Sequence, residues 1–162
     1  MPPLAIVAIR HGESEWNALR RKYPSEEQRY SSLLYTPDCP LTHRGVEQSL
    51  EAGHCLEQYL INTFTENLKV LYVVSPLRRA LQTALYIQKT CTRFPSSSPP
   101  IVNQHCTEIL SDSCDIGSTP EVLGKEFNGE YFEIYHEMLA HDHMGCSKIV
   151  SFIDTKVGIS VY

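Results

Sequence analysis

Two short stretches hold the residues best suited to chemistry. Arg10-His11-Gly12-Glu13 follows the apolar run Leu4–Ile9, and Ser75-Pro76-Leu77-Arg78-Arg79 follows the apolar run Leu68–Val74. Ligands of open α/β sheets gather beyond the carboxyl ends of the strands. If the two runs are neighbouring strands, an imidazole and two or three guanidiniums converge on one crevice. Guanidinium forks match phosphate oxygens in pairs and keep their charge at any working pH. A neutral imidazole, with an unperturbed pKa of about 6.5, is a nucleophile at neutral pH. Attack on phosphorus gives a phosphohistidine that water can cleave. Gly12 allows the backbone to come close to such a group. The same residues also have an ordinary reading: a hydrogen-bonded strand-end histidine, and two arginines on a solvated helix face.

The elements that must position these residues alternate in type. Leu4–Arg10 is a near-continuous apolar run, as a strand covered on both faces requires. Ser14 is placed to cap a helix that puts Trp16 and Leu19 on one face. Residues 20–40 read as a long polar loop with a short helix around 26–34. A second helix opens at Thr42, with Val46, Leu50, Gly53, Leu56 and Leu60 forming an apolar stripe. Leu68–Val74 reads as a strand, and Ser75-Pro76 as the cap and first position of the next helix. Pro95–Pro100 is a breaker cluster in a surface loop, and Ile101-Val102 starts a third strand. Thr119-Pro120-Glu121 opens another helix, with a further helix over Tyr131–Ala140 and a last strand over Ile149–Ile153. Strands alternating with amphipathic helices predict an α/β fold with a mostly parallel sheet.

Composition narrows the partners. The chain has 162 residues, 42% apolar and 20% charged, which fits one globular domain rather than a disordered chain. Its 14 basic and 19 acidic residues leave a net charge of −5, which supports neither nucleic acid nor an anionic membrane as a partner. No apolar run is long enough to span a bilayer. The start, Met-Pro-Pro, lacks the pattern of a secretory signal, so a cytoplasmic location is expected. The six cysteines, Cys39, Cys55, Cys91, Cys106, Cys114 and Cys146, contain no Cys-x-x-Cys pair and are expected as free thiols.

Four segments, in order, carry a family resemblance. Ile9-Arg10-His11-Gly12-Glu13-Ser14-Glu15-Trp16-Asn17 resembles the signature of the histidine phosphatase superfamily, the phosphoglycerate mutase-like proteins. Leu41-Thr42-His43-Arg44-Gly45-Val46-Glu47-Gln48 is similar to the family's Leu-Thr-x-x-Gly-x-x-Gln segment. Ser75-Pro76-Leu77-Arg78-Arg79-Ala80-Leu81-Gln82-Thr83-Ala84 is similar to its Ser-x-Leu-x-Arg-Ala-x-x-Thr-Ala segment. Thr107-Glu108-Ile109-Leu110 sits where the family places its acid/base glutamate. The resemblance is strongest over residues 4–127 and implies a single domain over 1–162. It implies a three-layer α/β/α fold around a mostly parallel central sheet. It also implies that His11 accepts the phosphoryl group and that Arg10 and Arg79 clamp its oxygens. Asn17 adds a phosphate hydrogen bond, and Glu108 protonates the leaving oxygen and then activates water. Arg79, not Arg78, falls in the motif position, which leaves Arg78 to the surface. No cofactor or metal is needed in that scheme, because arginines and helix ends carry the developing charge.

The resemblance has a gap. The family has a second active-site histidine, in a His-Gly that follows a late apolar strand. His136, His141 and His143 follow no such strand, and Ile149–Ile153 is followed by Asp154-Thr155-Lys156. Either the tail after about residue 140 is not family sequence, as in a truncated or spliced product, or this member has lost the residue. His141-Asp142-His143 has zinc-ligand residue types but no third placed ligand, and reads as exposed. Three activities stay open: a phosphomonoester hydrolase acting through His11, an inactive or impaired phosphate-binding module, and a mutase-type phosphotransferase. The substrate class is a phosphorylated small molecule or phosphoprotein, with specificity expected from residues 20–40 and 111–127. The oligomeric state is not encoded in any motif.

Overall fold

In a computed structural model of the chain, residues 6–25, 27, 36–64, 70–93 and 100–127 are described. Four α-helices occur among them: α1 (Glu15–Lys22), α2 (His43–Thr63), α3 (Arg78–Thr90) and α4 (Pro120–Glu126). Two short strands, β1 (Val73–Val74) and β2 (Ile101–Val102), pair in parallel with Val73 opposite Ile101 and Val74 opposite Val102. Ile101 N–H donates to Tyr72 C=O and Asn103 N–H to Val74 C=O, both at 2.8 Å, extending that pairing. Helix α3 is the crossover between the strands, so β1, α3 and β2 form a βαβ unit. The fold is therefore α/β with a small parallel sheet. Among the described residues, no helix is long and apolar enough to cross a membrane.

Local sequence explains the helix starts. Ser14 caps α1 in extended backbone; its hydroxyl accepts from the Asn17 amide, while the Asn17 side chain accepts from the Ser14 amide. This reciprocal box satisfies two free donors of the first turn. Arg20, Arg21 and Lys22 fill the last turn, where the helix dipole favours cations. Thr42 caps α2 by accepting from Gly45 N–H at 3.1 Å. The expected stripe of α2 is present at Gly53, Leu56 and Leu60, but Gly45, Ser49 and Ala52 are buried beside it. These small residues let other backbone come close. A Cβ built on Gly53 would stand 2.0 Å from Thr90 Oγ1 and 2.8 Å from the Ile87 carbonyl, so α2 and α3 cross at a separation that a side chain at 53 would forbid.

The start of α3 differs from the sequence expectation. Ser75 does not cap it; the N-cap is Leu77, which has no side-chain cap hydrogen bond. The Arg78 N–H instead donates to Asp38 Oδ1 at 2.7 Å, and Asp38 Oδ2 accepts from Ser118 N–H at 2.9 Å. Asp38 is buried and sits at φ 44°, a left-handed conformation that Asp tolerates better than most side chains. A carboxylate from a distant loop does the work assigned to the local serine, whose hydroxyl accepts only a long bond from Leu77 N–H.

Two further expectations are corrected. Residues 6–10 form no strand, because no neighbouring strand pairs with them among the described residues. Exposure alternates along them, with Val7 and Ile9 packed on the α2–α3 core while Ile6 is exposed. The strand expected over 68–74 is reduced to Val73–Val74, residues 65–69 being outside the described set. The short helix at 26–34, the loop at 95–100, the helix at 131–140 and the strand at 149–153 lie wholly or almost wholly outside the described residues, as do His136, His141, His143 and Cys146.

Three apolar clusters hold these parts together. Val74, Val102, Leu81, Ala84, Leu123 and Phe127 join one sheet face to α3 and α4. Ala52, Leu56, Leu60, Ile87 and Cys91 fill the α2–α3 interface. Trp16, Cys39 and Cys114 pack together with Leu19 at their edge, and Trp16 Nε1 donates to Asp112 at 3.2 Å. Asp38→Ala removes the α3 cap and strands the Ser118 amide, at an expected cost of about 2 kcal/mol. Urea unfolding tests this: the midpoint falls with an unchanged slope.

Candidate active site

The Arg10–Glu13 segment is fastened to α2 and α3 by its backbone. Gly12 N–H donates to Thr83 Oγ1 at 3.1 Å, and the Thr83 hydroxyl donates to the Arg79 carbonyl at 2.8 Å. Gly12 lies directly on Gly45: a Cβ at Gly12 would be 2.3 Å from the Gly45 carbonyl oxygen, and one at Gly45 would be 2.1 Å from that of Glu13. Neither position has room for a methyl group. Glu13 N–H donates to Gln48 Oε1 at 2.8 Å, and Thr42 N–H donates to the Glu13 carbonyl at 2.9 Å. The Glu13 carboxylate accepts from the Thr42 hydroxyl and pairs with Arg21. A single antiparallel bridge between Ser14 and Leu41 continues the contact.

His11 is thereby held against Arg79. Its Nδ1 is 2.6 Å from the Gly12 carbonyl oxygen, and its Nε2 is 3.3 Å from Arg79 Nε. A carbonyl only accepts and a guanidinium only donates, so one tautomer satisfies both: hydrogen on Nδ1, lone pair on Nε2. Burial pushes the His11 pKa below 6.5; the Gly12 carbonyl opposes this, Arg79 adds to it, Glu108 opposes it, and Arg10 adds to it. The ring is therefore neutral at neutral pH, with its Nε2 lone pair accepting from a cation.

Arg79 is buried to 2% exposure. Its Nη1 donates to the Cys114 carbonyl at 2.7 Å, and its Nη2 lies 3.0 Å from both Glu108 Oε2 and Asp115 Oδ1. Burial pushes the Asp115 carboxyl up, but the amides of Asp112 and Ser111 and the Ser111 and Cys114 side chains outweigh it and hold the pKa at about 2. Asp115 is buried like Arg79, whereas Glu108 is exposed. Arg78 is only partly buried and pairs with Glu126 at 2.8 Å, so it is an anchored residue between α3 and α4 rather than a free surface charge.

A cavity of about 870 Å³ opens beside His11, with Arg10, Asn17, Arg20, Arg21, Arg44 and Gln48 in its wall. Four guanidiniums and one carboxylate, Glu13, give it a positive character in a chain of net charge −5. Arg79 and Glu108 are not in that wall; Arg79 contacts the ring, and Glu108 contacts Arg79. The structure thus links His11 to Glu108 through Arg79, which contacts both, and sets Arg10 and Asn17 along the adjoining cavity. Asn17 Oδ1 is used by the Ser14 box.

Several residues that build the site were not singled out for it in the sequence. Thr83 and Gln48 stood within the matched segments, and the Arg79–Thr83 spacing of four places them on one helix face. Asp38 and Asp115 fell within the segments expected to set specificity, but nothing marked them as structural partners of α3, since their contacts are far away in sequence.

Over residues 6–131 the chain matches the family model described as histidine phosphatase superfamily (branch 1). No curated protein sequence matches it. Among solved structures it is similar to a phosphoserine phosphatase from Entamoeba histolytica in complex with 3-phosphoglyceric acid. The identity is 25%, covering 78% of this chain and 54% of that one, with a TM-score of 0.37. The chain spans about half the length of that solved relative.

An NMR titration is expected to place the His11 midpoint below 6.5, and Arg79→Ala to move it upward by removing a repelling charge. A wild-type midpoint above 6.5 contradicts the buried environment. Asp115→Asn leaves the buried Arg79 under-compensated and is expected to cost about 3 kcal/mol. The folded Asp115 pKa lies below its ordinary 3.8, so its contribution is complete above that value and is lost as pH falls toward about 2. Acid unfolding of wild type and variant, followed by circular dichroism, is expected to converge over that range.

Proposed function

The chain belongs to the histidine phosphatase superfamily, and from that premise we propose that it hydrolyses phosphomonoesters through a phosphohistidine formed on His11. The observation that carries this reading is the His11–Arg79 pair: a neutral ring whose Nε2 lone pair faces a buried guanidinium. In the proposed reaction a phosphoryl group enters between them. Nε2 attacks phosphorus, the bond to the ester oxygen breaks, and Glu108 supplies a proton to that oxygen. Water then attacks the phosphohistidine, Glu108 takes its proton, and the nitrogen recovers its electron pair.

Arg79 and Arg10 carry the negative charge on the transferring oxygens, and the Asn17 amide nitrogen adds a donor. The fixed position of Arg79, held by the Cys114 carbonyl and Asp115, supports that role, since a donor held in place needs no reorganisation during transfer. The positive cavity supports a phosphorylated small molecule or phosphoprotein as substrate. The same premise implies one domain over 1–162 and a three-layer arrangement around the sheet.

One observation favours a second reading, an impaired phosphate-binding member. Among the described residues, no second histidine contacts His11 or lines the cavity. A missing donor of this kind costs on the order of a hundred- to a thousandfold in rate. Phosphoryl transfer to a second substrate hydroxyl, as in a mutase, ranks below both.

An aryl phosphate assay separates the readings. Hydrolysis is expected to release phenolate from wild type and to vanish in His11→Ala, with Arg79→Ala slowed about a hundredfold or more. Rapid quenching is expected to trap an acid-labile, base-stable phosphoryl group on His11. Release undiminished in His11→Ala overturns the proposal. Folded protein that binds orthovanadate but releases no phenolate establishes the binding module instead.

A further inference from the structure

We propose that Cys39 and Cys114 are a reversible oxidation site, at which a hydroperoxide converts a buried thiol pair into a disulfide that joins the segment before α2 to the turn holding Arg79. The two side chains pack with Trp16 in one buried cluster, at 1% and 5% exposure. They come from chain segments far apart in sequence and meet in that cluster. The remaining described cysteines lie elsewhere: Cys91 is in the α2–α3 core, and Cys55 and Cys106 are exposed.

The surroundings divide the two sulfurs into a nucleophile and its partner. Cys39 lies beside Cys114, the Trp16 amide and the Ser14 side chain, with Arg79 nearby. Cys114 is the largest influence, and together these hold the Cys39 thiol below its ordinary value against the cost of burial. Cys114 is pushed the opposite way by Cys39, by burial and by the Asp115 carboxylate to which it donates, so it keeps its proton. Its Sγ lies 3.5 Å from Asp115 Oδ1.

The chemistry balances with hydrogen peroxide as oxidant. The Cys39 thiolate attacks one peroxide oxygen, the O–O bond breaks, and a proton and the departing hydroxide leave as water, giving a sulfenic acid. Cys114 sulfur then attacks the Cys39 sulfur and the hydroxyl leaves as a second water, with the Cys114 proton. Each sulfur gives up one electron, and the peroxide takes both. A thiol reductant reverses the reaction. The Cys114 carbonyl and the neighbouring Asp115 carboxylate hold Arg79, so the link acts on the turn that sets the guanidinium in place. The inference does not depend on turnover at His11.

The test uses the full wild-type chain. It is treated with hydrogen peroxide, unfolded in an alkylating reagent, and mapped by peptide mass spectrometry. The expected product is a Cys39–Cys114 linked peptide pair, two hydrogens lighter, that dithiothreitol separates. The oxidised protein is expected to melt on the order of 5 °C or more higher, because the link closes a long loop of the unfolded chain. In Cys114→Ser, dimedone is expected to trap a sulfenic acid on Cys39; in Cys39→Ser it leaves Cys114 unlabelled. Recovery of Cys39 and Cys114 unlinked, or linked mainly to other cysteines, overturns the proposal, and neither result requires a variant to fold.

Discussion

A guanidinium removed from water must find acceptors, and Arg79 finds them on three sides. The Cys114 carbonyl, the Asp115 carboxylate and the Glu108 carboxylate take its donors, and its Nε is left for His11. Without these partners a buried cation would cost several kcal/mol. The arrangement therefore ties α3, the turn at 113–115 and the segment that carries His11 into one unit. It also adds to the effect of burial on His11, since a cation beside the ring disfavours a second positive charge.

The backbone contact between Gly12 and Gly45 makes this reach possible. With a side chain at either position, the histidine segment would be lifted off the start of α2. Gly53 does the same further along, letting α3 lie close to α2. Two close approaches on one helix thus set the distance between the ring and the guanidinium. Dispersion and apolar burial around Leu56, Leu60 and Ile87 hold the helices at that spacing.

Charge is distributed unevenly around this centre. On one side of His11 are guanidiniums lining an open cavity. On the other, Arg79 is neutralised by carboxylates and sits beside the Cys39–Cys114 pair. The first side is suited to receiving an anion from solvent, and the second to holding a donor still. Asp38, which caps α3 and also holds Ser118, connects the two thiol-bearing segments to the helix that carries Arg79. The thiols and the guanidinium are thus joined through two turns of chain.

Much of the local structure was legible from residue order. Ser14 and Thr42 cap as their types predict, Thr119-Pro120 opens α4, and Ile101-Val102 is a strand, because each depends on neighbours within a few residues. The motif position separated Arg79 from Arg78 for the same reason: one falls on the buried face of α3 and the other beside it. The residues 6–10 were misread because strand character requires a partner, which an apolar run does not specify. The cap of α3 was misassigned because Asp38 competes with the local Ser75 from some forty residues away. Sequence by itself determined which side chains carry lone pairs, charge and helix signals, since those are properties of residue type and short spacing. Only the tertiary structure decided which of them meet: Asp115 with Arg79, Cys39 with Cys114, Gly12 with Gly45. Such contacts depend on how whole elements pack, and no local rule encodes the meeting of two distant segments.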